Sequence, residues 1–591
     1  MNAGSMTTLR TLKLAHSDKA DGENQGRGIP NYLGAMAISP DGTQGYVPSK
    51  QDNVLRGTQR DGLALNFQNT VRAVSSRVNL ATQTEDLAAR IDHDNASLAS
   101  AAVFDPLGVY LFVALETSRE VAVIDAHRRN QIMRIDVGRA PQGLVVSPDR
   151  RTLYVSNFMD RSVGVYDLTP LTQQAIAAVT PVATLSAVAV EALSATVLKG
   201  KQFFYDARDP RLARDRYLSC ASCHNDGGHD GRVWDLRSQG EGLRNTISLR
   251  GRAGGQGRLH WSNNFDEVQD FEGQIRTLAG GIGLMTDSQF NTGTRSQPLG
   301  DPKAGVSADL DALAAYVQSL DAFEPSPYRP DAATLSTDGA AGKALFISQN
   351  CGSCHSGSAF SRSAADNPAN VGTIKTSSGT RLNGTLTGID VPTLRDVWAT
   401  APYLHDGSAP TLEAAISAHN TTTASAAQVV LLAQYLREIG SQEGAAPMPS
   451  ASGLSGSYFN GVALAGSALL TRIEAVSFTW SGSPGGAVPA DNFSARWTGT
   501  VTLPSSGKYT FRTISDDGVR LWVDNVQRIN NWADHSPTVD TSSSISFSSG
   551  QRIPITLEYY ERTGSATIQL QWKRPGSSSY VDIPAASLNA N

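Results

Sequence analysis

Cysteine is scarce in this chain, with four residues among 591. All four lie in two copies of one pattern, Cys220-Ala-Ser-Cys223-His224 and Cys351-Gly-Ser-Cys354-His355. If all four serve one cofactor chemistry, no disulfide can form. Long apolar runs are lacking as well, and none approaches the roughly 20 residues that a membrane-spanning helix needs. We therefore expect no membrane span.

An excess of basic charge is also missing. Lys and Arg number 50 against 55 Asp and Glu, which gives a net charge of −5. Such a chain offers no basic field to a phosphate backbone, so we do not expect a nucleic-acid partner. Only 18% of the residues are charged, as in many secreted β-rich proteins. The length predicts about three or four domains.

The repeated Cys-x-x-Cys-His pattern is the attachment signature of c-type haem. Two thiols two residues apart add to the two vinyl groups of one porphyrin, and the histidine becomes the proximal iron ligand. A zinc site would need four ligands per metal, and a thioredoxin-like redox pair gives no reason for a histidine after both motifs. The sequence therefore predicts two covalently bound c-type haems, with His224 and His355 as proximal ligands.

Covalent haem attachment takes place outside the cytoplasm, so we expect a periplasmic, secreted or cell-surface protein. The opening phrase MNAGSMTTLR shows no apolar signal-peptide core. We expect either that a leader has been removed or that the sequence begins inside a longer protein.

Residues 1–185 are strand-rich and contain a weak repeat. Three similar phrases begin at Ala35, Ala101 and Gly143, each with a strand, a proline-containing turn and further strands. The repeat length of about 42 residues is typical of β-propeller blades. A closed propeller usually needs at least four blades. We count three, with a fourth as the alternative, and so predict an incomplete β-propeller. Ordinary hairpins are the alternative.

Helical spacing begins near residue 186, and each haem motif follows a helical lead-in that contains Gly-Lys, at Gly200 and Gly342. We therefore predict two related cytochrome c lobes, residues 186–330 and 331–440.

The rest of the chain changes character twice. Residues 441–453 are rich in Pro, Gly and Ser and predict a flexible linker. Residues 454–591, with short alternating runs and frequent Ser-Gly turns, predict an all-β sandwich. The expected fold class is therefore multidomain: a partial β-propeller, mainly α-helical di-haem cytochrome c lobes, and an all-β sandwich.

Two phrases accompany the haem motifs, VPTLRDVWATAPYLHDGSAPTLEAAI (Val391–Ile416) and LRNTISL (Leu243–Leu249). With them, residues 186–440 resemble the bacterial di-haem cytochrome c peroxidase superfamily, which includes the methylamine-utilisation di-haem enzyme that oxidises protein tryptophans. The resemblance implies reduction of hydrogen peroxide with electrons from a small redox protein. In the first part of the chain, Tyr154-Val-Ser-Asn157 is similar to the Tyr-Val-Thr-Asn family of propeller repeats.

The resemblance also implies roles for residues between the two lobes. Trp261 corresponds to the tryptophan that relays electrons between the haems, with a buried core tryptophan as the alternative. Asn245, with the backbone carbonyls of Thr400 and Pro402, matches the family's calcium site. Oxygen-only ligation suits a hard cation, and a capping role is the alternative for Asn245.

The position opposite the second proximal histidine departs from the peroxidases. They place a methionine there, whereas the spacing here gives His419. This implies two imidazole ligands and a lower reduction potential, because a thioether ligand raises it. A surface histidine at a helix end is the alternative.

The first haem pocket departs more strongly. Leu284 stands where the peroxidases have a catalytic glutamate, and leucine cannot move a proton between the peroxide oxygens. His260 is the predicted distal-pocket residue, with a structural role as the alternative. The other acid/base candidates nearby are Asp266, Glu267 and Glu272.

The C-terminal phrases GSYFNG (Gly456–Gly461) and ARWTGTVTLPSSGKYTFRTISDDGVRLWVDN (Ala495–Asn525) resemble the protective-antigen-type β-sandwich. In its sugar-binding members two consecutive aspartates hold calcium, and Asp516 and Asp517 match that pair. Trp532 would stack on a sugar ring. The resemblance implies a glycan or protein ligand, while a plain hairpin turn is the alternative for Asp-Asp-Gly.

Three functions follow. The first is an exported di-haem oxidoreductase that reduces hydrogen peroxide, with electrons relayed through Trp261. The second is peroxide- or oxygen-driven oxidation of an organic or protein substrate. The third is a non-catalytic electron-transfer or surface-binding cytochrome. One five-coordinate haem would favour an enzyme, and two six-coordinate haems would favour a carrier.

Overall fold

The computed structural model describes residue 8 and residues 10–251, 257–446 and 453–590. The chain forms two compact units, Met1–Pro447 and Met448–Asn591. Residues 447–452 of the predicted linker and most of the opening phrase MNAGSMTTLR lie outside the described residues.

The first unit begins with three successive antiparallel sheets. The first sheet contains β1 (Ile29–Asn31), β2 (Ala37–Ile38), β3 (Gln44–Asp52), β4 (Val71–Asn79) and β5 (Thr84–His93). The second sheet contains β6 (Ala99–Phe104), β7 (Tyr110–Leu115), β8 (Glu120–Asp125) and β9 (Asn130–Asp136). The third sheet contains β10 (Pro141–Val146), β11 (Thr152–Asn157), β12 (Ser162–Asp167) and β13 (Thr180–Ser186), with helix α1 (Thr169–Gln174) before β13.

The sheets are stacked with the second in the middle. Strand β7 is apolar at successive positions and is buried on both faces, because one face packs on the first sheet and the other on the third. Strand β11 alternates instead, so that Leu153 and Val155 are buried while Tyr154 is exposed. The described residues form no closed propeller. The structure therefore supports a β-rich N-terminal segment.

Helices follow the sheets in the same unit. The first group contains α2 (Ala195–Phe204), α3 (Ala221–His224), α4 (Glu272–Thr277), α5 (Asp287–Phe290) and α6 (Ala308–Gln318), with the strand pair β14 (Val233–Asp235) and β15 (Leu243–Asn245). The second group contains α7 (Thr337–Ser348), α8 (Leu412–Ser417) and α9 (Ala426–Arg437).

Helices α2 and α6 cross at a glycine. A Cβ at Gly200 would clash with the backbone carbonyl of Ala312, so only glycine permits this approach. One turn further on, Phe204 meets Tyr316 edge to face, with ring centroids 5.1 Å apart.

Helices α7 and α9 cross in the same way. A Cβ at Gly342 would clash with the carbonyl of Leu431. Phe346 then meets Tyr435 edge to face at 5.6 Å. The two helical groups are therefore built on one plan, a lead-in helix before the cysteines crossing a helix after them.

The second unit is a sandwich of two antiparallel sheets. One contains β16 (Leu454–Asn460), β17 (Leu470–Glu474), β19 (Phe493–Thr502), β21 (Val519–Val523), β22 (Val526–Asn531), β25 (Arg552–Glu561) and β28 (Leu588–Asn589). The other contains β18 (Ser477–Trp480), β20 (Gly507–Asp516), β23 (Thr538–Thr541), β24 (Ile545–Phe547), β26 (Ala566–Lys573) and β27 (Val581–Asp582). Alternating apolar side chains of both sheets, including Trp497 and Trp572, form the core.

Within the described ranges, no helix combines the length and the apolar character that crossing a membrane would require.

Candidate functional site

The first Cys-x-x-Cys-His motif lies around the short helix α3. Cys220 and Cys223 are unbridged thiols, and burial raises the pKa of Cys220 to about 11. Nδ1 of His224 lies 3.3 Å from the carbonyl oxygen of Gly228. Burial is the main cause that lowers the pKa of His224. The motif thus presents protonated thiols and a neutral imidazole whose Nε2 remains for a metal.

The second motif repeats this arrangement. Its cysteines, Cys351 and Cys354, are unbridged, and burial raises the pKa of Cys351 to about 11. Nδ1 of His355 lies 3.3 Å from the carbonyl oxygen of Phe360. Burial, and after it the charge of His419, lowers the pKa of His355 to about 4. Free thiols and oriented neutral imidazoles are what covalent attachment and iron ligation need, so both motifs fit c-type haem.

His419 lies just beyond the end of α8. Its Nδ1 is 2.8 Å from the carbonyl oxygen of Ala415, which leaves Nε2 as the coordinating nitrogen, as in the two proximal histidines. Ile416, three residues before His419, packs in the same apolar cluster as Cys351 of the second motif. Ligation of the second haem by His419 stays a prediction that this geometry permits.

His260 lies beside the first motif. Burial is the largest cause that lowers its pKa to about 4, and the charge of His224 contributes. Nδ1 lies 2.8 Å from Oδ1 of Asn264, and the ring packs on Phe265 and Phe271 at 4.4 and 5.1 Å between centroids. Phe265 belongs to the apolar cluster that contains Ala221 of the first motif, so His260 lies near that motif. Its distal-pocket role stays a prediction.

Trp261 joins the two helical groups. Its indole Nε1 donates to the carbonyl oxygen of Asn245 at 2.8 Å, at the end of β15. Its own carbonyl accepts from the backbone N–H of Asp390, in the segment before the second group's distinctive phrase, at 2.8 Å. Its position between the lobes agrees with the predicted relay role, which stays a prediction.

The predicted calcium ligands are partly brought together. The side-chain amide of Asn245 donates to the carbonyl of Pro402, while Asn245 Oδ1 is buried without a hydrogen-bond partner. Thr400, two residues before Pro402, donates its hydroxyl to Val397 at 3.2 Å. An orphaned amide oxygen beside backbone carbonyls is a donor set that suits a hard cation.

Leu284 lies in the apolar cluster that also contains Ala221 of the first motif and Leu259. The nearest carboxylate is that of Glu272, which is fully buried. It accepts from the backbone N–H groups of Leu284 and Met285 at 2.9 and 3.1 Å, and from Arg276 at 2.9 Å. The carboxylate of Glu272 therefore uses its oxygens to hold the loop that contains Leu284 and Met285.

The other two predicted acids, Glu267 and Asp266, are also poorly placed for acid/base catalysis in the first haem pocket. Glu267 accepts from the backbone N–H groups of Lys303 and Ala304. Asp266 is exposed. Among the predicted acid/base candidates, His260 is therefore the one whose ring packs on the apolar cluster of the first motif and whose Nε2 makes no hydrogen bond among the described residues.

A separate acidic site lies in the sandwich. Asp516, Asp517 and Glu561 place carboxylate oxygens within 4.8 Å of one another. Burial, with the two aspartates adding, raises the pKa of Glu561 to about 7. Backbone N–H groups of His535 and Arg562 orient Asp517 at 2.8 and 3.0 Å. Sequence reasoning missed Glu561, because it lies on β25, far along the chain from the aspartate pair.

Trp532, the predicted sugar-stacking residue, packs against side chains of its own unit. Its ring lies 4.8 Å from that of Tyr560, and the guanidinium of Arg520 lies 3.9 Å from its centroid. One part of the indole is therefore already covered.

Two known families match segments of the chain. The PA14 domain family matches residues 450–585, which confirms the predicted protective-antigen-type sandwich. The family described as RoxA-like, cytochrome c-like matches residues 388–423. That segment contains the whole phrase Val391–Ile416 and agrees with a cytochrome c-type second lobe.

Individual relatives cover only parts of the chain. The anti-sigma-I factor RsgI3 of Acetivibrio thermocellus is 36% identical over 138 residues, 23% of this chain and 21% of that protein. Cytochrome c peroxidase Ccp of Escherichia coli is 30% identical over 243 residues, 35% of this chain and 50% of that protein. The hydrazine synthase subunit gamma of Kuenenia stuttgartiensis is 27% identical over 232 residues, 33% of this chain and 62% of that protein.

The chain thus spans a fifth of the first of these relatives and half of the second. The similarity to cytochrome c peroxidases agrees with the c-type haem that both motifs fit.

Proposed function

We propose that the first unit is an exported di-haem oxidoreductase that reduces hydrogen peroxide. Two electrons from a small redox donor protein and two protons convert one peroxide into two water molecules. The observation that carries the proposal is that a second histidine lies near each attachment motif. His260 packs on Phe265, which shares an apolar cluster with Ala221 of the first motif. His419 follows Ile416, which shares an apolar cluster with Cys351 of the second motif.

When bound, each haem would supply an iron centre for one-electron transfer. The residues that would hold the first are Cys220, Cys223 and His224, and those that would hold the second are Cys351, Cys354 and His355. Donor electrons would enter at the His355 site and reach the His224 site through Trp261. His260 and Trp261 are consecutive, so a single peptide bond joins the pocket residue and the relay.

His260 would move the proton between the peroxide oxygens. Burial keeps its imidazole neutral near pH 7, since it lowers the pKa to about 4. The contact of Nδ1 with Asn264 leaves Nε2 to accept a proton from one oxygen and return it to the other.

Two other functions are each favoured by one observation. With Leu284 in the pocket and Glu272 fully hydrogen-bonded, the site lacks the carboxylate of the peroxidases. This favours peroxide- or oxygen-driven oxidation of an organic or protein substrate. If instead His260 and His419 both ligate, each iron has two imidazoles, which favours a non-catalytic electron-transfer cytochrome.

The flanking parts would serve recognition. We assign the three stacked sheets to an incomplete β-propeller that docks a partner. The PA14 sandwich would bind a glycan through calcium held by Asp516, Asp517 and Glu561. A second calcium would lie between the lobes at Asn245, Thr400 and Pro402.

Absorption and EPR spectra of the holoprotein, oxidised and half-reduced, test the proposal. We expect a high-spin ferric signal that hydrogen peroxide removes, followed by turnover when a reduced donor is added. Two low-spin haems that are inert to peroxide in both states would rule out the enzyme and leave the carrier.

The relay is tested by Trp261→Phe, with Trp398→Phe as the control in the second lobe. We expect Trp261→Phe to slow electron transfer between the haems and to leave both haem spectra unchanged. Equal rates in the two variants would remove Trp261 from the path.

A further inference from the structure

A fully buried lysine of the first sheet reaches the first haem-binding motif. Lys50 lies on β3 and is 0% exposed. Its Nζ lies 2.9 Å from Oδ1 of Asp52 and 3.2 Å from Oδ2 of Asp230, and it donates to the carbonyl oxygen of Ser222 at 2.6 Å. Ser222 lies between the two cysteines of the motif, so Lys50 is hydrogen-bonded to the attachment segment itself.

Residues in the connections between the strands bind the same segment. The hydroxyl of Tyr32 donates to the carbonyl oxygen of Cys223 at 3.0 Å. The hydroxyls of Ser97 and Ser222 lie 3.1 Å apart. The ammonium of Lys50 lies 4.5 Å from the centre of the Tyr32 ring. Lys50 is therefore the charged centre of a set of contacts that fixes residues 222 and 223.

Asp230 extends the set to the proximal histidine. Its backbone lies two residues after Gly228, whose carbonyl holds Nδ1 of His224. Its carboxylate accepts from the indole of Trp234 at 3.1 Å as well as from Lys50. The loop that orients the imidazole of His224 is thus held by the same ammonium as the segment that carries the thiols.

The charges in this set balance. Two cations, Lys50 and Arg232, face two anions, Asp52 and Asp230, with Arg232 Nε 2.9 Å from Asp52. Removing Lys50 would leave one uncompensated negative charge in a buried site, where charge interactions are strong.

The second motif has no such contacts among the described residues. Ser353 donates to the carbonyl of Asn350, and His355 uses the carbonyl of Phe360, all within the second lobe. The sheets therefore act on one motif and not on the other.

We propose that Lys50 is a positioning residue for the first haem, which fixes the attachment segment and the loop behind His224 and neutralises the charge beside the iron. This inference rests on the proposed haem at Cys220, Cys223 and His224. A negative charge favours ferric over ferrous iron, so loss of Lys50 lowers the reduction potential of the first haem and leaves that of the second unchanged.

The test is a redox titration of holoprotein carrying Lys50→Met, followed by absorption and EPR. The control is Arg90→Met, which removes a cation of the same first sheet that is paired with Glu85 at 2.6 Å and has no contact with the motif. In Lys50→Met we expect the ferric-to-ferrous ratio of the first haem at the wild-type midpoint to rise tenfold, equal to 59 mV for a one-electron couple. Arg90→Met should leave both potentials unchanged.

The inference is overturned if the reduction potential of the first haem is unchanged in Lys50→Met, or if it shifts equally in Arg90→Met. If Lys50→Met does not fold, Asp230→Asn decides, because removal of a negative charge must raise the first potential. Haem content per chain separates the two proposals: wild-type protein without haem at the first motif refutes the haem assignment, whereas two haems with unshifted potentials refute the role of Lys50 alone.

Discussion

At the scale of single residues, one contact recurs at the histidines of the first unit. His224, His355 and His419 each place Nδ1 against a backbone carbonyl four or five residues away, at 2.8 to 3.3 Å. A carbonyl that accepts from Nδ1–H fixes the tautomer and leaves the Nε2 lone pair for a metal. His419 shares this feature with the two proximal histidines.

We therefore expect His419→Met to raise the reduction potential of the second haem, because a thioether replaces an imidazole. The low-spin EPR signal of that haem should change while the first haem keeps its own. The exposed His127→Gln is the control and should leave both signals as they are. An unaltered second haem in His419→Met would show that His419 is not a ligand.

Glu116 predicts how the stability of the first unit depends on pH. It is buried between the second and third sheets, accepts from Gln142 at 3.0 Å, and burial raises its pKa from 4.5 to about 7. As the pH rises from 4.5 towards 7, the unfolded chain ionises while the folded carboxyl keeps its proton. Stability is therefore lost across this window, by about 3 kcal/mol, and levels off above it.

Glu116→Gln should make the free energy of unfolding less dependent on pH between about pH 4.5 and 7. Guanidinium unfolding followed by haem absorption at about pH 5 and pH 8 measures the difference. The exposed Glu23→Gln should keep the wild-type slope, and a slope that survives in Glu116→Gln would contradict the assignment.

The residues that sequence reasoning could find are those whose chemistry is local. Two thiols and a histidine within five positions identify an attachment site without knowledge of the fold. Glu561 and Lys50 carry no such signal, because their partners lie on other strands far along the chain. The predicted roles of His260, His419 and Trp261 agree with where the structure places them and stay predictions.

At the scale of secondary-structure elements, the helix crossings predict which glycine cannot be replaced without loss of stability. Gly342→Ala should destabilise the second lobe by about 1–3 kcal/mol, since the added methyl must push α7 away from α9. Thermal unfolding and the absorption of the second haem would show the loss.

The matched control is Gly273→Ala in α4, where the added methyl meets nothing within 4 Å. Alanine has the higher helix propensity, so this variant should gain up to about 1 kcal/mol. Equal losses in the two variants would mean that the crossing is not the cause.

Helices and strands could be predicted from the sequence where the local residue pattern reflects how the element packs. Gly-Lys followed by an aromatic residue marked both lead-in helices, because a close helix crossing needs a glycine at one position and a ring a turn later. The alternating strands of the sandwich likewise gave its class. The number of sheets in the first part was readable as three repeats, but their packing on the helical groups depends on contacts between distant residues, which no local pattern contains.

At the scale of the whole molecule, the chain forms two compact units, and the proposed haem sites and the proposed calcium site of the sandwich lie in different units. We expect Asp517→Asn to weaken calcium binding by the sandwich by roughly tenfold or more, because one charged ligand is lost. Calcium-dependent glycan binding should fall with it, while both haem spectra stay unchanged. Calorimetric titration with calcium measures the effect.

Asp524→Asn, in the turn between β21 and β22, is the control and should bind calcium as the wild type does. If Asp517→Asn keeps full calcium affinity, the acidic cluster is only a turn.

Because Lys50 contacts the first motif, the two lobes differ in what each would lose if it were transferred to another protein. A graft of the second motif would carry its own hydrogen bonds, since they stay within the second lobe. A graft of the first lobe would carry Asp230 without the cation that neutralises it and would lose Tyr32 against Cys223. The second attachment motif therefore keeps these contacts wherever its lobe is placed, whereas the first motif keeps its contacts only together with the sheets.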